Sequence, residues 1–153
     1  MAVRQLTGTR SSGDAPWRRA TWPEVQPGTV GLAYDRLPLD TLYVAFEDDG
    51  TPGSYVPVTA AEEPYDGLYV KVSEDGSRVT GAMIEGYLVG AHSRWPSWLD
   101  VAAAAGISDD ALGAFGLAPR TPGLDRDAAV AAFLAEIRNA WETARDVGRD
   151  TDR

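Results

Sequence analysis

The chain contains no cysteine, which excludes a disulfide framework, thiolate zinc sites and a cysteine nucleophile. It has a single histidine, His92, so no site can use two. No apolar run approaches the roughly 20 residues that span a bilayer. Arg18-Arg19 is followed by Ala20-Thr21-Trp22-Pro23-Glu24 rather than an apolar stretch, which speaks against a twin-arginine signal. A cytoplasmic address is expected. Lysine is nearly missing too: Lys71 is the only one among 14 basic residues, and together with the Ala, Gly and Asp richness this fits a GC-rich genome.

What is present suits one domain. The chain has 153 residues, 44% hydrophobic and 24% charged, enough for a true core. The net charge of -9 is unevenly spread, because residues 34–75 hold ten acids (Asp35, Asp40, Glu47, Asp48, Asp49, Glu62, Glu63, Asp66, Glu74, Asp75) against Arg36 and Lys71. Such a surface repels phosphate backbones and favours a basic protein partner, although solubility alone explains many acidic surfaces.

Residues 1–28 have no sustained period and read as a partly flexible basic arm, with Trp17 and Trp22 too costly to leave in water. Residues 29–92 read as an antiparallel β-sheet unit. Thr41 to Phe46 places Leu42, Val44 and Phe46 on one face. Ser54 to Val58 contains Pro57, which cannot donate to a ladder and belongs on an edge. Asp75-Gly76, between Gly67–Val72 and Val79–Ile84, signals a two-residue hairpin. Closed there, it pairs Val72 with Val79, Val70 with Gly81 and Leu68 with Met83. Tyr87 to Gly90 extends the sheet after a bend at Gly86.

Residues 93–147 read as a helical part packed on the sheet within the same domain. Ser97 caps a helix over 98–105 that Gly106 ends, and Ser108 caps a shorter one over 109–115. A long helix over 125–147 carries Val130, Phe133, Leu134, Ile137, Trp141 and Ala144 at the spacing of a buried stripe. Residues 148–153 are expected to fray. The fold class is α+β: a sheet of four to five strands against the long C-terminal helix, with two short helices at one end.

Tyr34-Asp35, Asp40-Thr41-Leu42-Tyr43, Asp66-Gly67, Asp75-Gly76 and Gly81-Ala82-Met83-Ile84-Glu85 form a pattern that resembles the bacterial domain of unknown function 2283, over about residues 34–88. The resemblance implies an antiparallel, mostly β fold and no established activity. The chain departs from it in the insert before Asp66 and in the helical C-terminal third.

Candidate chemistry is sparse. By the hairpin register Glu85 points to the core side of its strand with Asp66 opposite, and two close carboxylates would split their pKa values as acid/base sites require. The structural alternative is a carboxylate that accepts bonds from a loop or an arm arginine. Tyr43, Tyr69 and Lys71 share the parity opposite the core face: a partner or ligand patch if that face is open, ordinary packing if the arm covers it. His92 lies beside Arg94, Trp95 and Trp98, where a hinge residue or a weak catalytic candidate would sit. No Gly-x-Ser-x-Gly elbow, phosphate-binding loop or metal-spaced motif is present, so no cofactor or metal is expected, and Asp48-Asp49-Gly50 reads as a turn. Ala102 to Ser108 has helix-turn-helix flavour, but the next helix begins Asp109-Asp110-Ala111-Leu112 and offers nothing to bases or phosphates, which disfavours DNA. The leading expectation is an accessory or immunity-type protein-interaction module, with Asp48, Asp49, Glu62 and Glu63 in the acidic partner surface. The alternative is a small-molecule binder or minor enzyme with a pocket near Glu85, where sheet meets helices. Self-association through the Pro57 edge or the tyrosine face is a third route.

Overall fold

The computed structural model describes residues 19–36, 40–46, 52–58, 67–89, 96–118 and 125–151, with side chains along the last helix described to residue 146. Five strands, β1 (Gly31–Asp35), β2 (Thr41–Ala45), β3 (Gly53–Pro57), β4 (Leu68–Ser73) and β5 (Val79–Glu85), form one sheet in the order β1-β2-β5-β4-β3 with every pairing antiparallel. Two helices follow, α1 (Asp109–Ala114) and α2 (Arg126–Thr151). The fold is α+β, as the hydrophobic patterning predicts. Among the described residues no helix is long and apolar enough to cross a membrane.

One face of the sheet carries the core. Leu42, Val44 and Phe46 are buried on it beside Leu68, Val70 and Val72 of β4 and Ala82 and Ile84 of β5. The helix α2 contributes Val130, Phe133, Leu134, Ile137, Trp141 and Ala144 to the same cluster, all buried, so its 3.6-residue stripe faces this side. Trp98 meets the Phe133 ring edge-on at 5.8 Å. Strand β3 lies at the edge, where Pro57 costs no internal ladder bond. Ala20 is buried, and the Trp22 ring packs 5.2 Å from Phe46 and 5.5 Å from Trp141, so the arm joins the core from Ala20 onward.

Four local expectations need correction. First, the Asp75-Gly76 loop is not a two-residue type I′ turn. That turn needs positive φ at both residues, and only Gly76 has it (φ 76°). The chain instead turns over Ser73–Gly76, with Gly76 N–H donating to the Ser73 carbonyl, and closes with Ser73 N–H on the Arg78 carbonyl.

Second, a β-bulge shifts the register between Lys71 and Val72. Val72 pairs with Val79 as expected, but Val70 then faces Ala82 and Leu68 faces Ile84. Val79 and Thr80 are consecutive and both buried, and the Thr80 hydroxyl reaches the Lys71 carbonyl at 3.4 Å. Past this point Gly81, Met83 and Glu85 lie on the face away from the core. Gly81 is required there, since a Cβ would meet the Val44 carbonyl oxygen at 2.5 Å.

Third, Tyr87 to Val89 form a helical turn, with Tyr87 and Leu88 buried, rather than a sixth strand. Fourth, the segment expected as a helix over 98–105 is two 3-10 pieces, Pro96–Val101 and Ala103–Ala105, the second ended by Gly106 at φ 82°. The Ser108 cap is present, its hydroxyl accepting from Ala111 N–H at 3.1 Å. The long helix continues to Thr151.

Candidate functional site

With every described helix residue of the core on one side, the other side of the sheet is where the singled-out residues meet. The registers place them in rows across the strands. Ala33, Tyr43, Met83, Tyr69 and Pro57 form one row, and Gly31, Ala45, Gly81, Lys71 and Tyr55 the next. Asp35, Thr41 and Glu85 bound the first row at one end. Tyr43 and Tyr55 are 37% and 39% exposed, two of the three large hydrophobic side chains so exposed among the described residues. The Lys71 ammonium lies 5.8 Å from the Tyr55 ring centroid, a cation-π contact that holds the only lysine against an apolar surface.

This arrangement unites Tyr43, Tyr69 and Lys71 as their parity predicts, and adds Glu85. The bulge at Thr80 inverts the parity of everything after it, so Glu85 sits opposite Thr41 on the outer face and not toward the core. Its amide donates to the Gly67 carbonyl, which makes Gly67 the residue across from it. Asp48, Asp49, Glu62, Glu63, Asp66 and His92 lie outside the described residues. Among the described residues no group of three or more His, Asp or Glu side chains is arranged to hold a metal ion.

Among the described residues the buried polar centre lies elsewhere, on residues that the sequence marks only as positions of the 2283-like pattern. Asp40, 9% exposed, stands at the start of β2 with φ 39°, a left-handed conformation that Asp tolerates better than most residues. Its carboxylate accepts from the Tyr34 hydroxyl at 2.5 Å, from Leu88 N–H at 3.1 Å and from Val89 N–H at 3.0 Å. Its own carbonyl accepts from Tyr87 N–H at 3.0 Å. Four groups from two distant segments thus converge on one residue, which caps the turn at Tyr87–Val89 and ties it to the sheet. Burial first, and then the bond to Asp40, push the Tyr34 phenol well above its ordinary value. The Tyr87 hydroxyl extends the network by donating to the Trp98 carbonyl at 2.6 Å. A buried carboxylate held by three donors of the surrounding chain does the work of a cap and a tie.

A second polar cluster caps the β4–β5 turn. One Asp75 oxygen accepts from the Ser77 hydroxyl at 2.7 Å, the Ser73 hydroxyl at 2.7 Å and Ser77 N–H at 3.0 Å. These bonds, the Ser77 hydroxyl foremost, hold its carboxyl at about 2. The cluster is exposed and local, the chemistry of a turn.

No protein-family model, no curated protein and no solved structure matches this chain.

Proposed function

We propose that the protein is an interaction module of the accessory or immunity type, which binds a basic protein partner. The observation that carries this reading is the outer sheet face. Tyr43, Met83, Tyr69 and Tyr55 present aromatic and thioether surface over a floor that includes Gly81, Ala45 and Ala33. Tyrosine and methionine are the residue types enriched where proteins bind one another, and small residues let a partner approach closely. The excess of acids over residues 34–75 supplies long-range attraction for a basic partner, and Asp35 and Glu85 stand at the border of the patch. The same reading takes residues 34–88 as a unit like the domain of unknown function 2283. It is supported by the hydrogen bond between Tyr34 and Asp40, two residues of the shared pattern.

Native mass spectrometry on protein drawn gently from its own host at low salt tests the proposal. A stoichiometric basic protein is expected, bound about tenfold or more weakly by a Tyr43→Ala variant of unchanged thermal stability. The complex should also weaken steeply as salt shortens the screening length. Failure to recover any protein partner at low salt sinks the idea. The second reading, a small-molecule binder or minor enzyme, is favoured by Glu85 sharing a face with Tyr43 and Tyr69. It would show itself as a small added mass lost on Glu85→Gln.

A further inference from the structure

We propose that two copies of this chain join edge to edge through strand β1, so that their five-stranded sheets run on as one. This rests on the backbone of β1 and is independent of the outer-face reading.

The ladder decides which backbone groups face the open side of β1. Phe46 N–H donates to the Thr80 carbonyl, Glu85 N–H to the Gly67 carbonyl and Val58 N–H to the Leu68 carbonyl. In an antiparallel sheet the bonding side alternates residue by residue. Leu42 and Val44 therefore bond to β5, while Thr41, Tyr43 and Ala45 bond to Asp35, Ala33 and Gly31 of β1. Leu32 and Tyr34 are left with their N–H and C=O groups turned away from the sheet, and among the described residues no hydrogen bond takes any of them. This open window is closed at both ends. The Val30 carbonyl accepts from Arg126 at 2.8 Å, and the Arg36 carbonyl accepts from Asp40 N–H at 2.9 Å. The strand itself is firmly held, since the Tyr34 hydroxyl donates to Asp40 and its ring packs 6.2 Å from that of Tyr87. The opposite edge is guarded: by the same alternation Pro57 of β3 turns its missing N–H outward, a device that stops strand addition. Strand β1, Gly-Leu-Ala-Tyr-Asp, has no proline or lysine to do so.

The window selects a second copy as its occupant and fixes the register. Two β1 strands set antiparallel about Leu32 would aim Tyr34 at Val30 of the copy, and set about Tyr34 they would aim Leu32 at Arg36; both carbonyls are already taken. Set about Ala33, they place Leu32 against Tyr34 in both directions, and the N–H and C=O groups of these residues in both chains satisfy one another. The same register pairs the half-buried Leu32 and Tyr34 side chains on the core side and the exposed Gly31, Ala33 and Asp35 on the outer side. Asp35 then faces Gly31, which keeps the two Asp35 carboxylates about 13 Å apart along the strands at about 3.3 Å per residue. The turn Ala103–Ala105, which packs beside β1, is alanine throughout, so small side chains flank the joint. A longer strand from another protein would leave its own groups unanswered opposite Val30 and Arg36. A second β1 brings a window of the same length, and the result is a closed two-fold dimer. With a net charge of -9 on each chain, this dimer gains as salt rises, the opposite of a complex with a basic partner, so the two proposals fail separately.

The cysteine-free chain makes the test direct. In this register Ala33 meets Ala33 of the copy as a non-hydrogen-bonded pair with Cα atoms about 4.5 Å apart, within the roughly 4.4–6.8 Å that a disulfide spans, whereas the two Gly31 residues lie about 13 Å apart. Both positions are exposed, and a Cβ at Gly31 meets only the Ala45 Cβ at 3.9 Å, so neither substitution disturbs the core. Full-length Ala33→Cys and Gly31→Cys are oxidised separately at rising protein concentration and run on a non-reducing gel. Ala33→Cys should give about tenfold or more disulfide-linked dimer than Gly31→Cys, and a mixture of Gly31→Cys with Asp35→Cys should give a mixed dimer. Sedimentation of the unaltered chain should show a dimer that strengthens with salt. Leu32→Pro, which removes a donor from each side of the joint, should weaken that dimer about tenfold or more. Equal yields from Ala33→Cys and Gly31→Cys overturn the proposal. So does an unaltered chain that stays monomeric up to about 1 mM, the weak limit of specific association, which would leave the β1 edge to a strand of another protein.

Discussion

Asp40 and Asp75 do the same job at two turns of one sheet, and they do it under opposite conditions. Each carboxylate gathers three donors. The donors of Asp75 come from residues two positions away, and the group stands in water. The donors of Asp40 lie 6, 48 and 49 residues away, and the group is buried. Water can replace every bond that Asp75 makes, so its loss leaves nothing stranded. Without Asp40, two backbone amides and a phenol lose their acceptor where water reaches only part of them, the Leu88 amide being fully buried, and that desolvation is the larger quantity. Equal counts of hydrogen bonds therefore mean unequal stability.

The comparison can be broken by experiment. Asp40→Ala should have the largest effect, a loss of about 3 kcal/mol or more in urea unfolding, because three donors are orphaned together. Tyr34→Phe removes one donor and leaves the two amide bonds in place, so about 1 kcal/mol is expected. The intact Tyr34–Asp40 bond has its own signature in alkaline titration. The Tyr34 phenol should ionise late in such a titration, and Tyr34→Phe should remove that late component. Because the folded value is raised, the stabilisation is whole below about pH 10 and is lost as the pH climbs through the raised value. Asp75→Ala should cost less than Tyr34→Phe. Its folded value of about 2 lies below its ordinary 3.8, so its contribution is whole above about pH 4 and disappears as the pH falls through 2. An Asp75→Ala loss equal to that of Asp40→Ala would show that burial is not the deciding variable.

The same contrast explains which parts of the molecule could be read from the chain. Asp75-Gly76 marks its turn through neighbours in sequence, Pro57 marks an edge by lacking a donor, and the α2 stripe from Val130 to Ala144 marks a buried side by its spacing. All of these are local, and the five-stranded α+β architecture follows from them. The bulge at Thr80 is not local. Its second buried residue makes sense only once β2 lies beside β5 with Gly81 against Val44, and missing it sends Glu85 to the wrong face. Tyr87-Leu88-Val89 is apolar enough to read as strand, yet it is helical because a carboxylate 48 residues earlier caps its amides. Tyr43, Tyr69 and Lys71 were legible as a shared face because β2 and β4 keep an uninterrupted alternation, whereas Asp40 stood out only as one acid among ten and one position of the 2283-like pattern, with nothing to mark it as buried.

The long reach of α2 also has a consequence for how the chain is made. All five strands have been synthesised once Glu85 has emerged, but the side chains that cover their apolar face lie on a helix ending at Thr151. About 65 further residues must be added first, which takes about 3 to 13 seconds at ordinary rates of synthesis. During that interval Leu42, Val44, Val70 and Ile84 have no helix to face. The nascent sheet then has its apolar face uncovered, and slowing translation beyond Glu85 should lower the yield of native protein more than slowing it before β1.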